Sequence, residues 1–191
     1  FISSLEKTIS LLGLYLLTKR LFNKKIALIT TLLTLMNPFF FGHMGMNSKD
    51  IIVFFGFVWF CYYFYLYCTE NKNVFKNLIL FSFFIGFGCG VRLALLMAIL
   101  PVVLTGLYYL IRKYKTNYYS LVKRLSLHIP LAFFFCLFLV VLCWPHIIVE
   151  INKNNFFEVF STVINNTLSL KGGPKLGLIN GEFYETLNTP R

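Results

Sequence analysis

Residues 40–68 read FFGHMGMNSKDIIVFFGFVWFCYYFYLYC. The last eighteen, 51–68, carry no charge and consist almost wholly of aromatic and aliphatic side chains. A helix crosses the hydrocarbon of a bilayer with roughly 20 apolar residues. Immediately before this run stand a histidine, an asparagine, a lysine and an aspartate. The stretch reads as a membrane-spanning helix with a polar mouth, and the fold depends on how often that pattern recurs.

It recurs along three quarters of the chain. Spans are expected near 1–18 (interrupted by Glu6 and Lys7), 26–41, 51–68, 75–91, 93–111 and 125–143. The fourth and fifth are separated by Arg92 alone, after the glycine-rich stretch Gly86-Phe87-Gly88-Cys89-Gly90. Spans 75–91 and 93–111 read as joined by a very tight glycine-rich turn at Arg92, or as one interrupted or re-entrant element. From 144 onward the chain becomes polar, with turn signals at Gly172-Gly173-Pro174 and Asn180-Gly181. The expected fold class is all-α, a polytopic transmembrane helical bundle of about six spans over 1–143. The remainder, 144–191, is expected to be a partly structured, truncated extracytoplasmic segment.

Composition agrees. Of 191 residues, 58% are hydrophobic, 23 are Phe, and mean hydropathy is +0.72. Only 13% are charged, against about 25% in soluble domains. A water-soluble chain of this size has too little interior to hide so much apolar surface. The five cysteines, Cys61, Cys68, Cys89, Cys136 and Cys143, form no CxxC pair and lie in or at the ends of apolar runs. They read as small buried hydrophobes rather than a disulfide framework.

The net charge of +11 would suggest a nucleic-acid partner in a soluble protein. Here the charges fall in short clusters between apolar runs, so no nucleic acid is expected. Assigning successive loops to alternate sides puts eleven bases and the single acid Glu70 on one side. Those bases are Lys19, Arg20, Lys24, Lys25, Lys72, Lys76, Arg112, Lys113, Lys115, Lys123 and Arg124. By the positive-inside rule that side is cytoplasmic. Residues 43–50, Arg92 and 144–191 then share the extracytoplasmic face of a multi-pass protein of the cytoplasmic (inner) membrane.

On that face, Asp50 has two readings. A carboxylate in the first turn of a helix capped by Asn47 is favoured by free N–H groups and the helix dipole. Alternatively, Asp50 faces a wet pocket, where it would hold a divalent cation or orient a phosphate-bearing ligand. Lys49 would pair with phosphate, although neighbours on a helix point in different directions. His43 suits proton transfer or ligation, and equally a plain interfacial hydrogen bond. No zinc-type spacing accompanies it, and no metal site is assigned. Arg92, set among Gly, Val, Leu and Ala, needs an anionic partner or access to water. The candidates are Asp50, a ligand phosphate, or simple snorkelling to the interface.

These segments also resemble a known family in ordered succession. Asn37-Pro38 with Phe40-Phe41-Gly42-His43 and Asn47-Ser48-Lys49-Asp50 is similar to a segment of polytopic GT-C glycosyltransferases. The resemblance is to those related to the dolichyl-phosphate-mannose protein mannosyltransferases (glycosyltransferase family 39), with Ser48 where a proline is usual. The run from Gly86 to Arg92, Trp144-Pro145, and Leu178 to Tyr184 followed by Thr189-Pro190 continue the likeness. It implies transfer of a sugar from a polyprenyl-phosphate donor to a lipid, glycan or protein acceptor outside the membrane. It implies Asp50 as an accessory pocket carboxylate, with the main base upstream of Phe1. His43, Asn47, Lys49 and Arg92 would contact the donor or organise its pocket. The chain is then expected to be an internal piece of a longer enzyme, inactive alone. Two rival classes stand beside this: a transporter or lipid flippase using Arg92 at a broken helix, and a structural subunit.

Overall fold

The computed structural model describes residues 2–38, 40, 48–115, 118–143, 176–179 and 182–185. The chain divides into two compact units, Phe1–Pro145 and His146–Arg191.

Among the described residues, the main elements of the first unit are six packed helices: α1 Ile2–Leu21, α2 Lys24–Met36, α3 Ser48–Thr69, α4 Val74–Val91, α5 Leu95–Lys113 and α6 Tyr118–Cys143. Each overlaps one of the six apolar stretches read from the sequence. Four of them, α3 to α6, are long and apolar enough to cross a membrane. At 1.5 Å per residue, α4 is about 27 Å long and α6 about 39 Å. The 13-residue α2 reaches only about 20 Å. Asn23 starts it, its side chain accepting from the Ile26 N–H at 2.9 Å. Asn37 ends it with φ −71° and ψ 119°. Pro38 follows, and a proline drives the residue before it out of the helical region.

The core is aromatic and centred on α3. Phe60, Phe64, Tyr67 and Cys68 of α3 pack with Leu78 and Cys89 of α4, Leu95, Ile99 and Leu110 of α5, and Leu121 of α6. Phe60 and Phe64 stack at 5.4 Å, and Phe81 meets Phe64 edge-on at 5.6 Å. The outer faces are the reverse of a soluble protein's. Leu32, Leu33 and Met36 of α2 and Leu127, Phe133 and Phe134 of α6 are exposed, which suits acyl chains as surroundings. Buried hydroxyls are satisfied within their own helices: Ser10 Oγ donates to Glu6 O at 2.6 Å and Ser82 Oγ to Leu78 O at 2.7 Å. All five cysteines are free; Cys143 is exposed and Cys68 and Cys89 are buried.

The glycine-rich segment closes α4, and the reversal follows it at Arg92. Gly86, Gly88 and Gly90 all lie inside α4. A Cβ on Gly86 would stand 2.9 Å from Leu139 Cβ and 3.0 Å from the Cys136 carbonyl oxygen of α6. One on Gly90 would meet Cys143 at 2.7 Å. Gly88 turns the other way, onto Gly56 of α3 and Leu95 of α5. These residues let three helices approach closely, as small residues do in membrane bundles. The reversal itself is made by Arg92, Leu93 and Ala94.

In the second unit the described residues form a two-stranded antiparallel sheet, β1 Leu176–Ile179 and β2 Glu182–Glu185. Ile179 pairs with Glu182 and Leu176 with Glu185.

Candidate functional site

The six helices run alternately, so α3 begins where α4 ends. Asp50 lies in the first turn of α3. Arg92 caps the C-terminus of α4 in extended conformation, its N–H donating to Gly88 O at 3.0 Å. The two side chains meet across the helix pair, with Arg92 Nη1 2.9 Å from Asp50 Oδ1. Both remain partly open, 47% and 31% exposed respectively. Of the partners open to Arg92, the carboxylate is thus the one in contact. Half its surface is still accessible to a second anion.

This position follows from local chemistry. The free N–H groups of the first turn of α3 favour a carboxylate there. The Arg92 guanidinium lies at the carbonyl end of α4, where a cation is favoured. Each charge therefore sits at the helix end that suits it, and the close Gly56–Gly88 crossing brings the ends within reach. Lys49 is exposed, while Asp50 is half-buried, so the two do not share a face. Arg92 comes after a full-length helix rather than at a break partway along one, so α4 lacks the interrupted helix of the transporter reading.

His43 and Asn47 fall outside the described residues, as do Trp144, His146 and Glu150. Among the described residues, no three of His, Cys, Asp and Glu gather as a metal-binding group would. A shallow open groove on α2 is lined by Thr30, Leu33, Thr34, Asn37 and Phe40 and contains no charged side chain.

The opposite end of the bundle holds a polar cluster that sequence reasoning had treated only as loop charge. Lys113 Nζ donates to Cys68 O at 3.1 Å, Thr69 O at 2.9 Å and Asn71 Oδ1 at 3.1 Å. Arg124 donates through Nη2 to Tyr67 O at 2.7 Å and through Nη1 to Tyr114 Oη at 2.8 Å. Its guanidinium lies 4.5 Å from the centre of the Tyr67 ring. Tyr67 Oη and His128 Nδ1 share a hydrogen bond of 3.0 Å. Two cations from later helices thus satisfy the last-turn carbonyls of α3, groups that otherwise lack partners. The only foresign in sequence was a pair of bases at helix ends. Arg20 and Glu70, 3.5 Å apart, complete this end.

A family model described as dolichyl-phosphate-mannose-protein mannosyltransferase matches residues 1–144. No curated protein and no solved structure matches the chain.

Proposed function

The chain belongs to the dolichyl-phosphate-mannose-protein mannosyltransferase family, and on that footing we propose that it works in sugar transfer from a polyprenyl-phosphate-linked donor. The acceptor is a lipid, glycan or protein, and the reaction takes place on the extracytoplasmic side of the cytoplasmic membrane. The observation that carries this reading is the Asp50–Arg92 pair, set at the end of a multi-pass bundle opposite its basic loops.

Such a donor is a long apolar chain bearing a charged phosphate at the interface. Transfer needs positive charge where the phosphate departs and a carboxylate to take or hold a proton. Arg92 supplies the first: its exposed half can take a phosphate oxygen while Asp50 orients the guanidinium. Asp50 serves as the accessory carboxylate. Lys49, on the same rim, adds positive charge. His43 and Asn47 complete the proposed donor-binding set. Were a divalent cation to take part, Asp50 would be the described carboxylate to hold it, and it would offset phosphate charge.

The test uses the full-length protein reconstituted in vesicles with a polyprenyl-phosphate sugar. Arg92→Ala is expected to raise the donor KM at least tenfold, the cost of one charge-assisted contact. Asp50→Asn is expected to lower kcat by about 10²-fold, the low end for a proton-handling group. Transfer unchanged in both variants would sink the assignment. Labelling a cysteine placed at Ser48 from the cytoplasmic side would contradict the proposed orientation.

A further inference from the structure

At the basic end of the bundle, the Arg20–Glu70 contact ties together two corners of the chain. One is the α1–α2 corner, Lys19-Arg20-Leu21-Phe22-Asn23-Lys24-Lys25. The other is the α3–α4 corner, Glu70-Asn71-Lys72-Asn73-Val74-Phe75-Lys76. Each has the same make-up: an exposed phenylalanine with lysines on both sides. Phe22 is 66% exposed and Phe75 58%, and Lys19, Lys24, Lys25, Lys72 and Lys76 are all exposed. The only acid in either corner, Glu70, is already matched by Arg20. Lys113 and Arg124 are engaged by α3 carbonyls, and Lys113 also by Asn71, so they are not counted among the cations of this surface.

Two consequences follow. Five lysines face outward with no acid left in either corner to balance them. Two large apolar rings stand among them, where water is a poor neighbour. Three of the lysines also stand in first turns, Lys24 and Lys25 of α2 and Lys76 of α4. The helix dipole disfavours cations there. A free phosphate would answer the charge but not the rings. An anionic phospholipid answers both, with its phosphodiester among the lysines and the top of its acyl region under Phe22 and Phe75. We propose that this joined corner is a docking surface for anionic phospholipid headgroups, distinct from the Asp50–Arg92 site at the other end.

The test measures thermal unfolding of the full chain in nanodiscs of phosphatidylcholine, alone or mixed with phosphatidylglycerol. The native protein is expected to unfold about 5 °C higher in the mixture, and added salt should shrink the difference. In Lys24→Gln/Lys25→Gln/Lys72→Gln/Lys76→Gln the rise should vanish. In phosphatidylcholine alone that variant should be no less stable than the native chain. Lys115→Gln/Lys123→Gln, at the same end but outside the two corners, should keep the rise. Inorganic phosphate added to phosphatidylcholine discs should produce none. The proposal is overturned if the quadruple variant keeps the full rise, if the control pair loses it equally, or if inorganic phosphate reproduces it. Should the quadruple variant fail to fold, Phe22→Trp and Phe75→Trp in the otherwise native chain provide a second reading. Brominated phosphatidylglycerol should quench their added fluorescence more than brominated phosphatidylcholine, and equal quenching overturns the proposal.

Discussion

Replacing Gly56 with alanine probes the crossing that holds the candidate site together. A Cβ at Gly56 would stand 2.9 Å from the Phe84 carbonyl oxygen, 3.1 Å from Gly88 Cα and 3.3 Å from Gly88 N. All three are backbone atoms of α4, so no side chain can swing aside. Ordinary contact begins at 3.4 Å, so α3 and α4 must part by about half an ångström or more. Counting 1.5 Å per residue, the crossing lies about 9 Å along α3 from Asp50 and about 6 Å along α4 from Arg92. A parting carried over that distance stretches the 2.9 Å contact to about 3.4 Å, beyond the usual hydrogen-bond limit of about 3.2 Å. Overpacking of this kind costs about 1–3 kcal/mol. At about 2–4 °C per kcal/mol for a chain this long, G56A should lower Tm by about 2–12 °C. The ion pair contributes little of that, below about 1 kcal/mol, because both groups are partly exposed. Its fate is read separately by double-mutant cycles of D50N and R92Q in the native and G56A backgrounds. A coupling measurable in the native chain and absent with G56A is expected. An unchanged Tm, or equal coupling in both backgrounds, refutes the reasoning.

The basic end yields three more expectations. Arg124→Ala removes the donor to Tyr67 O and the cation over the Tyr67 ring. It should destabilise by about 2–4 kcal/mol in chemical or thermal unfolding, with Lys123→Ala within about 0.5 kcal/mol of native. Tyr67→Phe keeps the ring under Arg124 and removes the hydroxyl bonded to His128. It should cost about 0.5–1.5 kcal/mol, and a larger loss would mean that the hydroxyl has further partners. Glu70→Gln should change stability by less than about 1 kcal/mol, since its contact with Arg20 is long and exposed. That small effect should disappear at high salt.

Much of the bundle was legible because a bilayer forces a one-dimensional signal. The uncharged run 51–68 became α3, and the neighbours of Arg92 became two helices with a reversal between them. The glycines of α4 lie within the expected span 75–91, but their packing role was not legible. In a local window, glycine signals a break, whereas the reason for Gly86, Gly88 and Gly90 lies on helices some 30 to 50 residues away in the chain. Lys113 and Arg124 escaped notice for the same cause. As charges they obey a topology rule, but their acceptors are carbonyls whose position depends on three helices packing together. Asp50 and Arg92 were both nameable because each is a charge beside a long apolar run. That they touch was one of several open alternatives, since sequence spacing cannot show how closely α3 and α4 cross.

The capping of α3 also bears on the order in which the chain is made. Its last carbonyls wait for a lysine 44 to 45 residues downstream and an arginine 57 residues downstream of the groups they serve. While α3 is newly inserted, that end must rely on water and headgroups. Its capping is complete only once the sixth helix has been made. A nascent chain halted before Arg124 should therefore present an open helix end, a mark by which quality-control proteases can tell an unfinished bundle from a complete one. Protection of the Glu70–Asn73 loop from limited proteolysis should rise in a single step when translation passes the sixth helix.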